Sequence, residues 1–190
     1  MEVVLVVIVV VLIAAGALVL MRQRRSRGLQ EGFGPEYDRV VEERGDQRAA
    51  ESEMVERRKR RDELEIRPLE PQAREEYAER WQATQRRFVD DPGAAVGEAD
   101  ELVSAVMRER GYPLDDFDQR AADVSVDHPV VVENYRAAHG ISAANAEGRA
   151  GTEDLRQAMV HYRALFDELL GSGDDGSRDA RAQDDIREVK

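Results

Sequence analysis

One stretch of this chain gathers the residue types that acid–base or metal chemistry needs. Residues 115–128 read DDFDQRAADVSVDH, so aspartates, an arginine and a histidine lie close together along the chain. Carboxylate oxygens are ligands for hard cations, and an aspartate beside a histidine can exchange protons in catalysis. The candidate site residues are Asp116, Arg120, Asp123, Asp127 and His128. They support one hypothesis, a metal-binding or hydrolytic domain built on this segment.

The same residues also have a structural interpretation. Their spacing departs from a calcium-binding loop, because the D-x-D-x-D-G order with a distal glutamate is missing. Asp115 or Asp116 suits the N-cap of a short helix, and Ser125 and Asp127 are further capping candidates. Arg120 would then pair with one of the carboxylates. We favour capping with an Arg120–carboxylate pair, and the site hypothesis stays open beside it.

A basic run is the second candidate for chemistry. It consists of Arg57, Arg58, Lys59, Arg60 and Arg61. Such a run is typical of contacts with nucleic acid or acidic lipid. In a helix, flanking acids would stand four residues from the basic ones, in the pairs Glu53/Arg57, Glu56/Arg60, Arg58/Asp62 and Lys59/Glu63. Each such pair stabilises a helix by about 0.2–0.5 kcal/mol. We therefore predict a solvated, internally paired helix, with a partner or lipid patch as the alternative.

Other recognised chemistry is missing from the sequence. The chain has 190 residues and no cysteine, which excludes disulfides, thiolate nucleophiles and Cys-ligated metal sites. Its three histidines never take the H-x-x-x-H spacing, and there is neither a G-x-S-x-G elbow nor a P-loop. The net charge of −12 argues against a nucleic-acid partner. We predict a protein that is not an enzyme, with no catalytic set, no cofactor, no resident metal and no small-molecule substrate.

The elements that must position these residues begin with an apolar run. Residues 3–21, VVLVVIVVVLIAAGALVLM, contain no charged, amide or hydroxyl side chain. About 20 such residues span a hydrocarbon core as an α-helix, in which all backbone hydrogen bonds are satisfied internally. We predict a single transmembrane helix. A cleaved signal peptide is the alternative, although residues 1–2 lack a basic n-region and the run exceeds a typical signal core. A buried core helix is a third interpretation.

Charges on either side of the run predict its orientation. Residues 1–2 are a short flank with Glu2, whereas Arg22, Arg24, Arg25 and Arg27 follow the run at once. Basic residues near a transmembrane end favour the cytoplasmic side. We therefore predict a single-pass protein of the cell membrane, with the N-terminus outside and the bulk of the chain cytoplasmic. The arginines are also placed to contact anionic lipid headgroups.

Composition divides the remaining chain into four segments. Residues 22–35 are a basic flank and a flexible joint, since GLQEGFGP is rich in glycine and ends in proline. Residues 36–67 form a charged stalk helix that is weakest at Gly45. A coiled coil or self-association through this stalk stays open, although apolar heptads are not sustained. Residues 68–170 form a helical bundle, and residues 171–190 a disordered acidic tail.

Helical periodicity predicts an all-α bundle of four main helices plus a short one. The spans are 71–89, 93–110, 115–123 for the short helix, 129–147 and 153–170. Apolar residues recur at helical spacing in the main helices, which indicates one buried face on each. Tyr77, Trp81 and Phe88 form an aromatic stripe on the first of them. Such a stripe indicates core packing rather than a ligand site.

Three stretches of the sequence carry a resemblance. They read FGPEYDRVVEERGDQRAAESE, RRDELEIRPL and DDFDQRAADVSVDHPVVVENYRAAH. Over about residues 31–170 the chain resembles a group of uncharacterised membrane-anchored proteins of high-GC actinobacteria. The resemblance implies that a bacterial cytoplasmic membrane is the relevant bilayer, and it implies no activity. Some members of the group are described as secreted, which conflicts with the orientation predicted above.

Together these patterns predict a membrane-anchored helical protein that binds a protein partner as an adaptor or scaffold. The candidate surface combines the acidic segment 115–128 with the basic run 57–61. The runner-up is the metal-binding or hydrolytic domain. A pocket in which four side chains converge would favour that runner-up, and these are Asp116, Asp123, Asp127 and His128.

Overall fold

The computed structural model describes the backbone of residues 2–171 and the side chains of residues 13, 16, 17 and 20–171. This part of the chain holds eight α-helices and no β-strand. They are α1 (Glu2–Phe33), α2 (Pro35–Arg44), α3 (Gln47–Asp62), α4 (Pro71–Arg87), α5 (Pro92–Arg110), α6 (Phe117–Asp127), α7 (Val132–Ala146) and α8 (Thr152–Gly171). The prediction of an all-α fold is therefore confirmed.

Helix α1 contains the whole apolar run of residues 3–21. Among the residues that the structure describes, no helix combines the length and the hydropathy of a membrane span. Most side chains of the run lie outside the described part. Residues 172–190, for which the sequence predicts a disordered tail, lie outside it as well. The transmembrane helix and the disordered tail stay predictions.

The chain forms two compact units, and the boundary between them lies within α3, between Glu56 and Arg57. The first unit holds α1, α2 and the N-terminal part of α3. Residues 28–33, predicted as part of a flexible joint, continue α1 instead. Leu29 and Phe33 are 2% and 1% exposed, so the burial of these apolar side chains offsets the helix-weakening effect of the nearby glycines.

Two glycines turn the chain within the first unit. Gly34 has a φ of +48° and separates α1 from α2, and Gly45 has a φ of +65° and caps the end of α2. Residues with a side chain rarely adopt such values. The start of α3 then lies beside α1, because Gln47 donates to Ser26 Oγ (3.1 Å) and Ser26 donates to Glu51 (2.6 Å). The predicted stalk is therefore two helices and a turn, broken at the weak point that the sequence indicates.

The second unit is a bundle of α4 to α8. α8 packs on α5 and α7, α4 packs on α5, and α6 packs on α7. α5 and α8 form the centre because each presents a continuous apolar face at helical spacing. Their core side chains are Val96, Ala99, Leu102, Val103, Val106, Met107, Leu155, Ala158, Met159, Tyr162, Leu165, Phe166 and Leu169. Trp81 of α4 stacks on Phe166 with ring centroids 4.6 Å apart, so the aromatic stripe belongs to the core.

Local capping chemistry explains where two of these helices begin. Asp91 accepts a hydrogen bond from the Ala94 N–H at the start of α5, where Pro92 occupies the first turn. α6 begins in the same way with Asp116, whose side chain accepts from the Gln119 N–H. Both aspartates are capping residues that the sequence indicates.

α6 is longer than predicted and runs to Asp127. The prediction of Ser125 and Asp127 as capping residues is wrong, since both lie inside this helix. Ser125 Oγ donates to the carbonyl oxygen of Ala122 (2.6 Å), one turn back in the same helix. α7 accordingly begins at Val132 and not at the predicted Pro129.

Gly111 offers a test of this packing. It ends α5 with a φ of +99°, and a Cβ added there would lie 2.5 Å from the carbonyl oxygen of Glu65. Gly111→Ala is expected to lower the free energy of unfolding by about 2 kcal/mol, because the left-handed backbone is strained and the Glu65 backbone must move. Gly97→Ala in the same helix is the control, since an added Cβ meets nothing within 4 Å. It should raise stability by about 0.5–1 kcal/mol. Denaturant titrations measure both changes, and equal stability of the two variants would contradict the packing.

Candidate functional site

The two charged stretches of the sequence meet in the second unit. Arg60 Nε donates to Asp123 Oδ1 (3.0 Å), and Arg61 Nε donates to Asp127 Oδ1 (2.7 Å). A third contact joins the Arg57 guanidinium to Ser125 Oγ (3.2 Å). The basic residues belong to the end of α3 and their partners to α6. We call this set the clasp, and its members are Arg57, Arg60, Arg61, Asp123, Ser125 and Asp127.

Asp123 is the most deeply buried charged member of the clasp, with 0% of its surface exposed. Besides Arg60, it accepts a hydrogen bond from Gln119 Nε2 (2.9 Å). A buried carboxylate is tolerated only when it is paired and hydrogen-bonded, because removal from water costs several kcal/mol. Arg60 keeps 42% of its side chain exposed and so bridges the buried charge to solvent. The arrangement accounts for Asp123 without a ligand.

Asp127 is held from two sides. Arg61 donates to both of its carboxylate oxygens, at 2.7 and 2.8 Å, and the hydroxyl of Tyr112 donates to Oδ2 (2.8 Å). Burial raises the pKa of Tyr112, and the charge of Asp127 raises it further. The hydrogen bond from Arg61 is the main reason that the pKa of this guanidinium lies above its ordinary value. Asp127 is therefore an ion-pair partner, held in place by a tyrosine that stays protonated.

The clasp corrects the predicted pairing of the basic run. Arg60 and Arg61 bind carboxylates of α6, not acids one turn away in α3. Glu53 pairs with Arg44 in the first unit, and its pairing with Arg57 stays a prediction. Of the other members of the run, Arg58 is partly exposed and Lys59 is exposed. The prediction of an internally paired helix is wrong for Arg60 and Arg61, because the buried Asp123 and the half-buried Asp127 of α6 are their acceptors in place of the solvated acids of α3.

Asp116 and Arg120 have separate structural roles at the start of α6. Asp116 is the N-cap already described and is exposed. The Arg120 guanidinium donates to Tyr135 OH (3.0 Å), to Ser104 Oγ (3.2 Å) and to the carbonyl of Leu114 (3.1 Å). The predicted Arg120–carboxylate pair is therefore wrong. Neutral acceptors on α5 and α7 surround this side chain, which ties α6 to both helices.

His128 follows α6 and is buried, with 5% of its surface exposed. Its Nδ1 lies 3.0 Å from Oε1 of Glu168 in α8. Nε2 is buried as well and has no hydrogen-bond partner within the described chain. Burial lowers the pKa of His128 and the nearby Arg110 charge lowers it further, while Glu168 opposes the shift. His128 is thus neutral at pH 7, with Nδ1–H donating to the Glu168 carboxylate.

The five predicted site residues do not converge. Asp116 caps a helix, and Arg120 binds neutral oxygens. Asp123 and Asp127 each pair with an arginine of α3, and His128 pairs with Glu168 of α8. Within the residues that the structure describes, no group of three or more His, Asp or Glu side chains is placed to hold a metal ion. The segment therefore offers a set of separate structural contacts and not a shared cavity.

A second polar cluster was not anticipated from the sequence. Tyr162 OH donates to Asp100 Oδ1 (2.7 Å), and His139 Nδ1 lies 3.9 Å from the same oxygen, an ion-pair distance. The His139 ring stacks on Phe117 with centroids 3.7 Å apart. Burial raises the pKa of Asp100, but His139, Tyr162 and Arg120 together bring it below the ordinary value. The cluster links α5, α7 and α8 through one half-buried carboxylate.

The sequence does contain a signal for this cluster. Asp100 follows Val96 by four residues and precedes Val103 by three, so it lies on the apolar face of α5. A carboxylate on such a face predicts a buried partner. That partner, Tyr162, is 62 residues further along the chain.

A shallow groove between α4 and α8, within the described residues, is a further candidate for ligand binding. It has a volume of about 170 Å³. It is lined by three apolar side chains, one amide and two arginines, namely Phe88, Met159, Val160, Gln85, Arg156 and Arg163. Pockets that bury a small molecule usually measure about 300–1,000 Å³. The groove is too small to bury a substrate of ordinary size.

Comparison with known proteins identifies no relative. No protein-family model matches the chain, and neither a curated protein nor a solved structure shows a significant match to it.

His128 gives this region a measurable pH dependence. Its folded-state pKa lies below the value of 6.5 that it takes when unfolded, so the unfolded chain binds the extra proton more readily. The stability it contributes is full above pH 6.5 and is lost as the pH falls below that value. His128→Asn should reduce the slope of the free energy of unfolding against pH, because it removes the uptake of up to one proton on unfolding. One proton corresponds to a slope of about 1.4 kcal/mol per pH unit. Denaturant titrations between pH 7.5 and 5 (roughly the window set by an ordinary histidine) measure the difference. Parallel pH profiles for the two chains would contradict the assignment.

Proposed function

We propose that this chain is a single-pass membrane protein that holds a helical binding unit at the cytoplasmic face of the cell membrane. The observation that carries the proposal is the continuity of α1, which runs from Glu2 to Phe33 and takes the apolar run directly into exposed arginines. An apolar run of this length is sufficient to cross the hydrocarbon core. The arginines at its C-terminal end favour retention of that end in the cytoplasm.

The helical unit supports a role in binding a partner protein. It has its own apolar core, and three of the candidate site residues have structural roles, Asp116 in helix capping and Asp123 and Asp127 in the clasp. Three aspartates at the start of α6 are exposed and lie outside the clasp, and they are Asp115, Asp116 and Asp118. Asp123 and Asp127 belong to the clasp. We infer that this acidic surface, defined by residues 115, 116 and 118, contacts a basic region of the partner. A scaffold of this kind needs no cofactor.

Membrane anchoring is tested by alkaline extraction of membranes from cells that express the full chain. The chain should stay in the pellet, and a variant that lacks residues 2–21 should appear in the supernatant. The full chain and the shortened variant should both retain the fluorescence of the buried Trp81, which reports folding of the second unit. Release of the full chain by alkali would exclude an integral anchor.

Partner binding is tested by cross-linking in intact membranes followed by purification of the full chain. Asp115→Asn, Asp116→Asn and Asp118→Asn are combined, because asparagine keeps the capping function of Asp116 while the negative charge is removed. The matched control converts three exposed acids of α4, and its changes are Glu75→Gln, Glu76→Gln and Glu79→Gln. A specific partner should be lost with the aspartate variant and kept with the control. Identical cross-linked products from all three chains would contradict the acidic surface.

A further inference from the structure

The first unit returns the start of α3 to the base of α1. Ser26 of α1 donates to Glu51 (2.6 Å), and Gln47 Nε2 donates both to Ser26 Oγ (3.1 Å) and to Tyr37 OH (3.0 Å). Tyr37 OH also donates to Glu51 (3.1 Å). These contacts fix the first turn of α3 beside a particular turn of α1. The position of that turn relative to a bilayer can therefore be worked out.

Ser26 follows the last apolar residue, Met21, by about 7.5 Å along a helix axis at 1.5 Å per residue. The polar layer on each side of a bilayer is about 5–8 Å thick. If residues 3–21 occupy the hydrocarbon core, Ser26 lies at the outer edge of the headgroup layer. Gln47 and Glu51 are bonded to Ser26 and lie at the same depth. The turn around Gly45 therefore lies at the membrane surface. An extended stalk helix over residues 36–67 would instead place it away from the membrane.

Charge at this level is predominantly basic. Arg22, Arg24, Arg25 and Arg27 of α1 are exposed, and Arg48 is exposed beside Gln47 on α3. Glu51 is the acid held among them. Burial raises its pKa, but hydrogen bonds from Ser26, Gln47 and Tyr37 and the charge of Arg22 lower it overall. Glu51 is therefore ionised, and Glu51 and the exposed Asp46 beside Gln47 together offset two of the five positive charges, which leaves an excess of arginines.

We propose that Arg22, Arg24, Arg25, Arg27 and Arg48 form a collar that binds the phosphates of anionic phospholipids in the bilayer. The collar rests on the proposed membrane anchoring. Its distinctive element is Arg48, which the contacts to Ser26 bring to the headgroup layer although it is distant from the anchor in sequence. Arginine guanidinium groups suit phosphate oxygens because they donate in a planar fork. Each arginine near an anionic surface strengthens the association by about five-fold.

The test compares the full chain in nanodiscs of phosphatidylcholine with the same chain in nanodiscs that also contain phosphatidylglycerol. Reconstitution from detergent makes the comparison independent of orientation in the cell. Backbone hydrogen exchange at residues 46–48 is the readout, because the first amides of a helix lack intrahelical partners. Exchange there should be about five-fold slower in the anionic discs. Amides of α8 serve as an internal reference that lipid charge should leave unchanged.

Two variants separate the collar from general lipid effects. Arg48→Gln should reduce the lipid-dependent protection at residues 46–48, whereas Arg156→Gln, a change at an exposed arginine of the second unit, should keep it. Equal exchange in both discs, or a difference that Arg48→Gln does not alter, overturns the collar while membrane anchoring stands. Failure of the full chain to enter either disc overturns the proposed anchor and the collar with it.

Discussion

Arg60→Met is expected to lower the free energy of unfolding by about 3 kcal/mol. The change leaves the Asp123 carboxylate with 0% exposure and with Gln119 as its remaining donor from α6. An uncompensated buried charge is far more costly than the loss of a surface ion pair, which is worth about 0–1 kcal/mol. The measurement is a denaturant titration of the detergent-solubilised full chain, followed by fluorescence of its single tryptophan.

Lys59→Met is the matched control for this prediction. Lys59 precedes Arg60, belongs to the same basic run and is exposed. Its replacement removes the same charge from the same helix and should change stability by about 0.5 kcal/mol or less. If both variants lose the same small amount, the contact between Arg60 and Asp123 has no structural weight and the basic run is the solvated helix that its local sequence indicates.

Phe166→Ala is expected to have an effect of similar or larger size, about 3–5 kcal/mol. Phe166 is 2% exposed and stacks on Trp81, with an interplanar angle of 18°. Truncation removes the buried ring and leaves a cavity beside the tryptophan in the centre of the bundle. Trp81 emission should move to longer wavelength in the folded variant, because water reaches the indole more easily.

Val160→Ala on the same helix is the control for Phe166→Ala. Val160 is 50% exposed, so its replacement should cost about 0.5 kcal/mol or less and leave Trp81 emission unchanged. An equally stable Phe166→Ala variant with native emission would show that α4 and α8 do not pack as described.

Much of the second unit was predictable because its signals are local. Asp91 with Pro92 and Asp116 mark helix starts through contacts within three residues. The apolar spacing of α5 and α8 indicates their buried faces, and Gly111 marks the end of α5 with a positive φ. Each of these features depends on the few residues around it, which is the range over which a sequence pattern carries physical information.

The clasp could not be predicted in the same way. Arg60 and Asp123 are 63 residues apart, and the sequence also offers Glu56 to Arg60 at helical spacing. A local ion pair and a distant one use the same residue types, so only the burial of Asp123 decides between them. The prediction of a flexible joint at residues 28–33 is wrong for a related reason. Glycines in a sequence indicate flexibility. The burial of neighbouring side chains outweighs that flexibility here, and a sequence pattern does not reveal this burial.

The assignment of a structural role, rather than a ligand site, to the two charged stretches depends on one claim, that Arg60 and Arg61 are bound to Asp123 and Asp127 of α6. A double-mutant cycle with Arg60→Met, Asp123→Asn and the two combined measures this directly. The expected coupling free energy is about 2 kcal/mol, because asparagine in the double variant removes the buried charge that Arg60→Met would leave unpaired. If the two single effects add up to the double effect within about 0.5 kcal/mol, the claim is contradicted. Both charged stretches would then be candidate ligand sites again.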